Sequence, residues 1–300
     1  MGRLNMRWQS ISLVGVGLLG GSLALAIKRR HLAARVVACV RREAALVECQ
    51  NLKIADLVTM DLKEAVQGSE LVLLCTPLSQ MLGLTTQMRP FLQKGAILTD
   101  VGSVKGTVVR DLEPVARQAE AEFVGSHPMA GSEKTGLAAA RADLFENAIC
   151  LVTPGRTSSA NSIAKVEEFW RAVGGCPLRL TPEVHDDLVS RSSHLPHVVA
   201  AELANYVLSP VHPKEQARVC ANGFRDTTRI AAGSTEMWRD IALANRQNLS
   251  RVLGVFIEDL QEFQFALERQ DATAIEEFFA KAKQRRDQWQ AQSAASSSPE

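Results

Sequence analysis

Residues 125–136 read GSHPMAGSEKTG and set a histidine, a proline, a glutamate and a lysine among three glycines. A segment of this kind makes either a tight surface turn or a working site built around His127. It overlaps the end of the run EFVGS (122–126), which places the imidazole at the end of a strand. An unperturbed imidazole titrates at about pH 6.5 and accepts a hydroxyl proton in neutral solution. Removing that proton turns an alcohol or a dienol into a hydride donor. A second segment, DVGSVK (100–105), overlaps the end of another apolar run and carries Ser103, which can orient the imidazole or the substrate hydroxyl. Ser132 and Glu133 are candidate substrate contacts, Glu133 setting local charge together with Lys134.

A hydride needs an acceptor, and the N-terminal glycines point to one. Gly15, Gly17 and Gly20 form a G-x-G-x-x-G pattern after a strand-like run and at the opening of a helical one. Gly15 permits the tight turn, Gly17 lets the backbone approach a pyrophosphate, and Gly20 allows close strand-to-helix packing. Free amides at the helix start attract phosphate. Leu18 and Leu19 within this turn, and Thr76 and Pro77 at the end of LVLLCT (71–76), are assigned to the same cofactor shell. An NAD site would carry an acidic residue at the end of the second strand, where this chain has Arg41 and Arg42. Guanidinium groups grip a 2′-phosphate that a carboxylate would repel, so NADP is the expected cofactor. The plainer reading makes the two arginines solvated loop charges.

Three further groups lie in the second half of the chain. His194 and His197 flank Pro196, a residue expected to kink the helix that carries them. No third ligand accompanies them at zinc-like spacing, so core or substrate-facing roles are favoured over a metal site. Arg229 follows Asp226 by three residues. The pair is either a surface ion pair of little energetic weight or a guanidinium held to receive a substrate carboxylate.

These groups need elements to hold them. Strand-like runs occur at SISLVGV, VVACV (36–40), LVLLCT, AILTDV (96–101), EFVGS and AICLVT (148–153), alternating with helical patterns. That alternation predicts parallel strands joined by crossover helices. After a further helix and a strand at PLRLT the chain becomes helical, with Thr181 as a cap, Pro182 at the first helical position and Glu183 at the positive end of the dipole. The expected organisation is an α/β Rossmann-like parallel-sheet domain over residues 8–181, an all-helical domain over 182–290 and a disordered tail over 291–300. From Ser234 apolar residues recur at helical steps through Leu267, predicting one long helix, and a last helix opens near Asp271 with Ile275, Phe278 and Phe279 on one face. Stripes this long imply a core shared between two copies, so a homodimer is expected; a self-contained bundle is the alternative.

Composition sets the outer limits. Three hundred residues, 46% of them hydrophobic, suffice for two domains. A net charge of +1 provides no field for a polyanion or an acidic membrane. Nucleic acid is therefore not an expected partner. The six cysteines show no paired spacing and read as reduced thiols in a cytoplasmic protein. The apolar stretch 11–27 holds four glycines and no signal-cleavage pattern, and falls short of the roughly 20 residues a bilayer span needs. A soluble protein without a membrane partner is expected.

Five segments in order, GVGLLGGSLA, DVGSVK, GSHPMAGSEKTG, EVHDDLVSRSSHLPHVVA and GFRDTTRIAAGSTEMWRDI, resemble those of the arogenate/prephenate dehydrogenase family of tyrosine biosynthesis. The resemblance implies a Rossmann-like domain joined to an all-helical dimerisation domain, with the active site in the cleft between them. It also implies the reaction, in which hydride leaves C4 of a cyclohexadienol for the nicotinamide while the ring carboxylate departs as carbon dioxide. In these terms His127 engages the ring hydroxyl, Ser103 supports it, Arg229 receives a substrate carboxylate and His197 lies near the substrate. Ser132, Glu133, His185, His194 and Asp226 are left without settled roles. No residue decides between arogenate and prephenate on first principles; the arginine pair resembles NADP-linked members, which favours arogenate, with a prephenate-specific NAD(P) enzyme as the alternative. Both ends look too short for a fused mutase or regulatory domain. Remoter readings are another two-domain oxidoreductase acting on β-hydroxy acids or imines, and a non-catalytic dimer that senses NADP.

Overall fold

The computed structural model describes residues 8–132 and 134–296. The first half alternates strand and helix: β1 (Trp8–Val14), α1 (Leu18–Arg29), β2 (Ala33–Cys39), α2 (Glu43–Asn51), β3 (Leu57–Thr59), α3 (Leu62–Val66), β4 (Leu71–Leu74), α4 (Leu78–Met88), β5 (Ile97–Asp100), α5 (Gly106–Gln118), β6 (Glu122–Pro128), β7 (Ile149–Pro154), α6 (Ala160–Ala172) and β8 (Cys176–Arg179). Helices then take over: α7 (Pro182–Val189), α8 (Leu195–Val207), α9 (Asn222–Thr228), α10 (Thr235–Ala244), α11 (Arg246–Glu268) and α12 (Ala272–Ser296).

One sheet contains all eight strands in the order β3-β2-β1-β4-β5-β6-β7-β8. The run LVLL of β4 shows why it is central. Leu71 and Leu73 enter one core with Leu23, Ile27, Phe169 and Trp170. Val72 and Leu74 enter a second with Met81, Val108 and Leu112. Alternation thus buries both faces, each Val or Leu side chain contributing about 1.5–3 kcal/mol. Among the described residues no helix is long and apolar enough to cross a membrane.

The expected all-parallel sheet is corrected at one place: β6 and β7 run antiparallel, with His127 opposite Leu151. The chain returns from β6 through residues 129–148 without a crossover helix, so β7 enters from the opposite end. Strand β3, three residues long, was not among the expected runs because LVT is too short to show a period.

Helical expectations are also revised. The cap at Thr181 stands, its hydroxyl accepting from the Val184 amide at 3.3 Å with Pro182 first in α7. At the predicted proline kink a π turn, Ser190–His194, joins α7 to α8, and Pro196 lies in the first turn of α8. The single helix expected from Ser234 breaks at Asn245 into α10 and α11. Of the tail expected to be disordered, residues 291–296 continue α12 to Ser296, and residues 297–300 lie outside the described residues. Asp271 caps α12 by accepting from the Ala274 amide at 3.0 Å, and Phe263 meets Phe278 at 4.6 Å between ring centres.

The chain forms two compact units, divided between Asn248 and Leu249. Helix α7 packs on α5 and on β7, and α10 on α4, which holds the first helices of the second half to the sheet.

Candidate active site

The carboxyl ends of β1, β2, β4, β5 and β6 share one edge, since all five run parallel. Gly15 follows β1 with φ of +94°, a conformation L side chains rarely adopt. A Cβ on Gly20 would stand 2.2 Å from the Gly15 carbonyl oxygen, so α1 can approach the turn only with glycine there. Gly17 has open space where its Cβ would be, and α1 opens with no side-chain cap and no acidic residue in its first turn. Uncapped amides beside open space fit a pyrophosphate. Leu18 and Leu19 pack against the core beneath the turn. A Cβ on Gly15 would meet the Thr76 methyl at 2.7 Å, so the turn after β4 lies against the glycines. The Thr76 hydroxyl is buried without a partner, and Pro77 sits immediately before α4. Arg41 and Arg42 are exposed on the β2–α2 turn, beside the glycine turn because Gly15 donates its N–H to the Cys39 carbonyl at 3.0 Å.

At the other end of this edge stands His127, the next-to-last residue of β6 and only 7% exposed. The β5–β6 ladder stops after Leu98 and Phe123, and side chains take its place. Asp100 accepts from the Ser126 amide at 3.0 Å and the Gly102 amide at 2.8 Å. Lys105 forms an ion pair with Asp100 and donates to the Ser126 carbonyl at 2.8 Å. Both of these charged side chains are fully buried.

The imidazole of His127 meets His185 through Nδ1 and Nε2 at 2.9 Å, and His185 Nδ1 meets Asp186 Oδ1 at 2.8 Å. Asp186 also accepts from the Lys105 amide at 2.7 Å and from the Gly106 amide at 2.8 Å. A Cβ on Gly106 would stand 2.8 Å from that carboxylate, so glycine admits it to the start of α5. Asn245 donates to the Asp186 carbonyl at 2.9 Å and meets His194 Nδ1 at 3.2 Å. His194 Nε2 is buried beside the Ser103 backbone without a well-formed hydrogen bond. Burial, reinforced by His185, Lys105 and His194, holds His127 well below the ordinary imidazole value. Burial likewise lowers His194, to about 4. A neutral His127 is thereby available as a base, and its Nε2 has no hydrogen-bond partner among the described residues.

Ser103 is half-buried on the turn after β5, but no described hydrogen bond joins it to His127, whose Nδ1 is engaged by His185. His197 stacks on Trp238 at 3.7 Å and donates from Nδ1 to the Ser193 carbonyl at 2.9 Å. Its value is lowered chiefly by burial and further by the charge of Arg229, which places that guanidinium near it. Arg229 opens a short 3-10 turn, Arg229–Ala232, packed on α8. Ser132 is exposed, its hydroxyl accepting from the Lys134 amide at 3.2 Å. Glu133 lies outside the described residues. No cluster of three or more metal-binding side chains occurs among the described residues.

A sheet with an uncapped glycine turn after β1 and a buried neutral imidazole on the same edge defines a nicotinamide-nucleotide dehydrogenase. Its sequence matches the models for the prephenate dehydrogenase nucleotide-binding domain over residues 23–177 and the prephenate dehydrogenase dimerization domain over residues 181–281. The chain belongs to the prephenate dehydrogenase family. It is 35% identical to a cyclohexadienyl dehydrogenase of Zymomonas mobilis, covering 93% of this chain and 95% of that one. The structure of a prephenate dehydrogenase from A. aeolicus, in complex with hydroxyphenyl propionate and NAD+, is similar with a TM-score of 0.88 at 29% identity over 96% of this chain and 99% of that one. Synechocystis arogenate dehydrogenase is similar with a TM-score of 0.79 at 28% identity over 93% and 99% of the two chains.

Proposed function

We infer that the protein oxidatively decarboxylates a cyclohexadienol, arogenate in preference to prephenate, with NADP as hydride acceptor, in tyrosine biosynthesis. The observation that carries this reading is the buried neutral imidazole of His127, its Nε2 without a protein partner, on the sheet edge that also bears the glycine turn. Residues 8–181 would carry the cofactor and 182–290 the substrate and dimer contacts. The apolar residues Val255, Leu260, Phe265 and Leu267, exposed on α11, support pairing of two copies through the helices.

A bound nicotinamide supplies the hydride acceptor. His127 Nε2 takes the hydroxyl proton as hydride leaves C4, and the ring carboxylate departs as carbon dioxide. Aromatisation leaves a phenolate oxygen, which recovers the proton from His127. Gly15, Gly17, Leu18, Leu19 and Gly20 hold the pyrophosphate, with Thr76, Pro77 and Ser103 along the same edge. Arg229 and His197 bind the substrate, Arg229 at a carboxylate. Ser132 and Glu133 complete the substrate contacts.

Three measurements test this. Purified protein assayed against arogenate and prephenate, each with NADP and NAD, is expected to turn over arogenate with NADP fastest. Replacing Arg41 and Arg42 together by Ala is expected to raise KM for NADP and leave that for NAD unchanged; equal use of both cofactors by the parent protein would remove the 2′-phosphate assignment. Arg229→Ala is expected to raise the substrate KM by about 10- to 100-fold, the worth of one charge-assisted hydrogen bond, at constant cofactor KM. A change in cofactor affinity instead would place Arg229 elsewhere.

A further inference from the structure

We propose that His185 is a positioning residue that fixes the tautomer of His127, holding the proton on Nδ1 and leaving the Nε2 lone pair for the substrate. The assignment rests on the reading of His127 as the base, and it follows from one end of a hydrogen-bonded chain. Asp186 already accepts from two backbone N–H groups, one on each carboxylate oxygen. An ionised carboxylate can only accept, so the 2.8 Å contact from His185 Nδ1 requires a proton on that nitrogen. Burial holds His185 below the ordinary imidazole value against the pull of Asp186, so the ring carries one proton. Its Nε2 is then a lone pair. The 2.9 Å contact from that lone pair to His127 Nδ1 requires a proton on the latter. His127 is itself neutral, so its Nε2 is bare.

The reverse order fails at its far end. Were His127 Nδ1 the acceptor, a neutral His185 would turn a lone pair toward the Asp186 carboxylate across 2.8 Å in a fully buried place. The two rings meet tilted, 58° apart with centres at 5.1 Å, rather than stacked. When His127 takes the substrate proton, His185 and Asp186 also lie in line to accept the positive charge that develops.

The chain holds six histidines, so nitrogen-15 NMR of the uniformly labelled, full-length protein can distinguish each ring, with His127→Asn identifying the resonance. The wild-type protein without substrate is expected to show His127 protonated at Nδ1 and bare at Nε2. Protonation at Nε2 would overturn the proposal without reference to any activity. His185→Phe fills the volume but removes the acceptor; His127 is expected to lose its single tautomer, and kcat to fall by about 10- to 100-fold at unchanged cofactor KM. His185→Gln restores an acceptor oxygen near the Nε2 position and is expected to recover the tautomer and most of kcat. A folded His185→Phe protein with the wild-type tautomer and kcat would also overturn it. If that variant does not fold, the wild-type tautomer and the Gln variant decide. Absence of turnover on any cyclohexadienol would remove the proposed reaction and leave the tautomer measurement standing.

Discussion

Replacing His127 by Asn is expected to lower kcat by about 10²–10⁴-fold, the usual worth of a positioned general base, with cofactor affinity retained. The asparagine amide can occupy the place of imidazole Nδ1 and still donate to His185, so the interior network keeps its partner. What the variant lacks is Nε2. The same geometry sets the pH dependence. A base works when deprotonated, and activity falls as pH falls through its pKa. Burial holds that pKa well below 6.5, and the neighbouring His185, Lys105 and His194 push in the same direction. The acid limb of kcat/KM assigned to His127 is therefore expected below the range of an ordinary histidine. Stopped or steady-state kinetics across acid pH checks both points. Near-wild-type turnover in His127→Asn would remove the residue from the chemistry.

Much of this site was legible from local pattern. Gly15 and Gly20 sit at fixed offsets because a turn and a close helix demand them, and Thr181, Pro182 and Glu183 mark a helix start by their own chemistry. His127 was legible because it directly follows a strand-like run. Its partners were not. His185 and Asp186 lie 58 and 59 positions further on, and no spacing rule brings α7 to the start of α5. The signals were the density of titratable residues in EVHDD, just behind a good helix start, and the resemblance of the segment that contains it, neither of which names a partner. Asn245 was hidden for another reason: the apolar stripe runs across it, so periodicity predicts an unbroken helix. The structure ends α10 there, and the Asn245 side chain serves Asp186 and His194. Trp238 lies in the same apolar stripe, where periodicity predicts core packing, but stacks on His197. The antiparallel turn of β7 left no trace in a run whose apolar content suits either direction. Composition and local pattern report what an element is; which side chains meet depends on contacts between distant segments.

Lys105→Met is expected to destabilise the folded protein by about 3–5 kcal/mol, the usual cost of removing one partner from a buried ion pair. Neither side chain of the Lys105–Asp100 pair reaches solvent, so no water replaces the lost ammonium. The Asp100 carboxylate would keep only the amides of Gly102 and Ser126. Lys94→Met offers the contrast: its partner Glu120 is exposed, and little measurable change is expected there. Urea unfolding of the two variants beside the parent checks the difference, and equal midpoints for Lys105→Met and the parent would show that the buried pair contributes nothing net. The consequence extends to chemistry, because Lys105 serves twice. Its ammonium ties β5 to the Ser126 carbonyl next to His127, while its backbone N–H holds the carboxylate of Asp186. Loss of the ammonium would loosen both ends of the hydrogen-bonded chain through His185, so Lys105→Met is expected to lower kcat even at temperatures where the variant remains folded. A folded Lys105→Met protein with the parent's kcat would show that the pair supports the sheet edge alone and not the imidazole beside it.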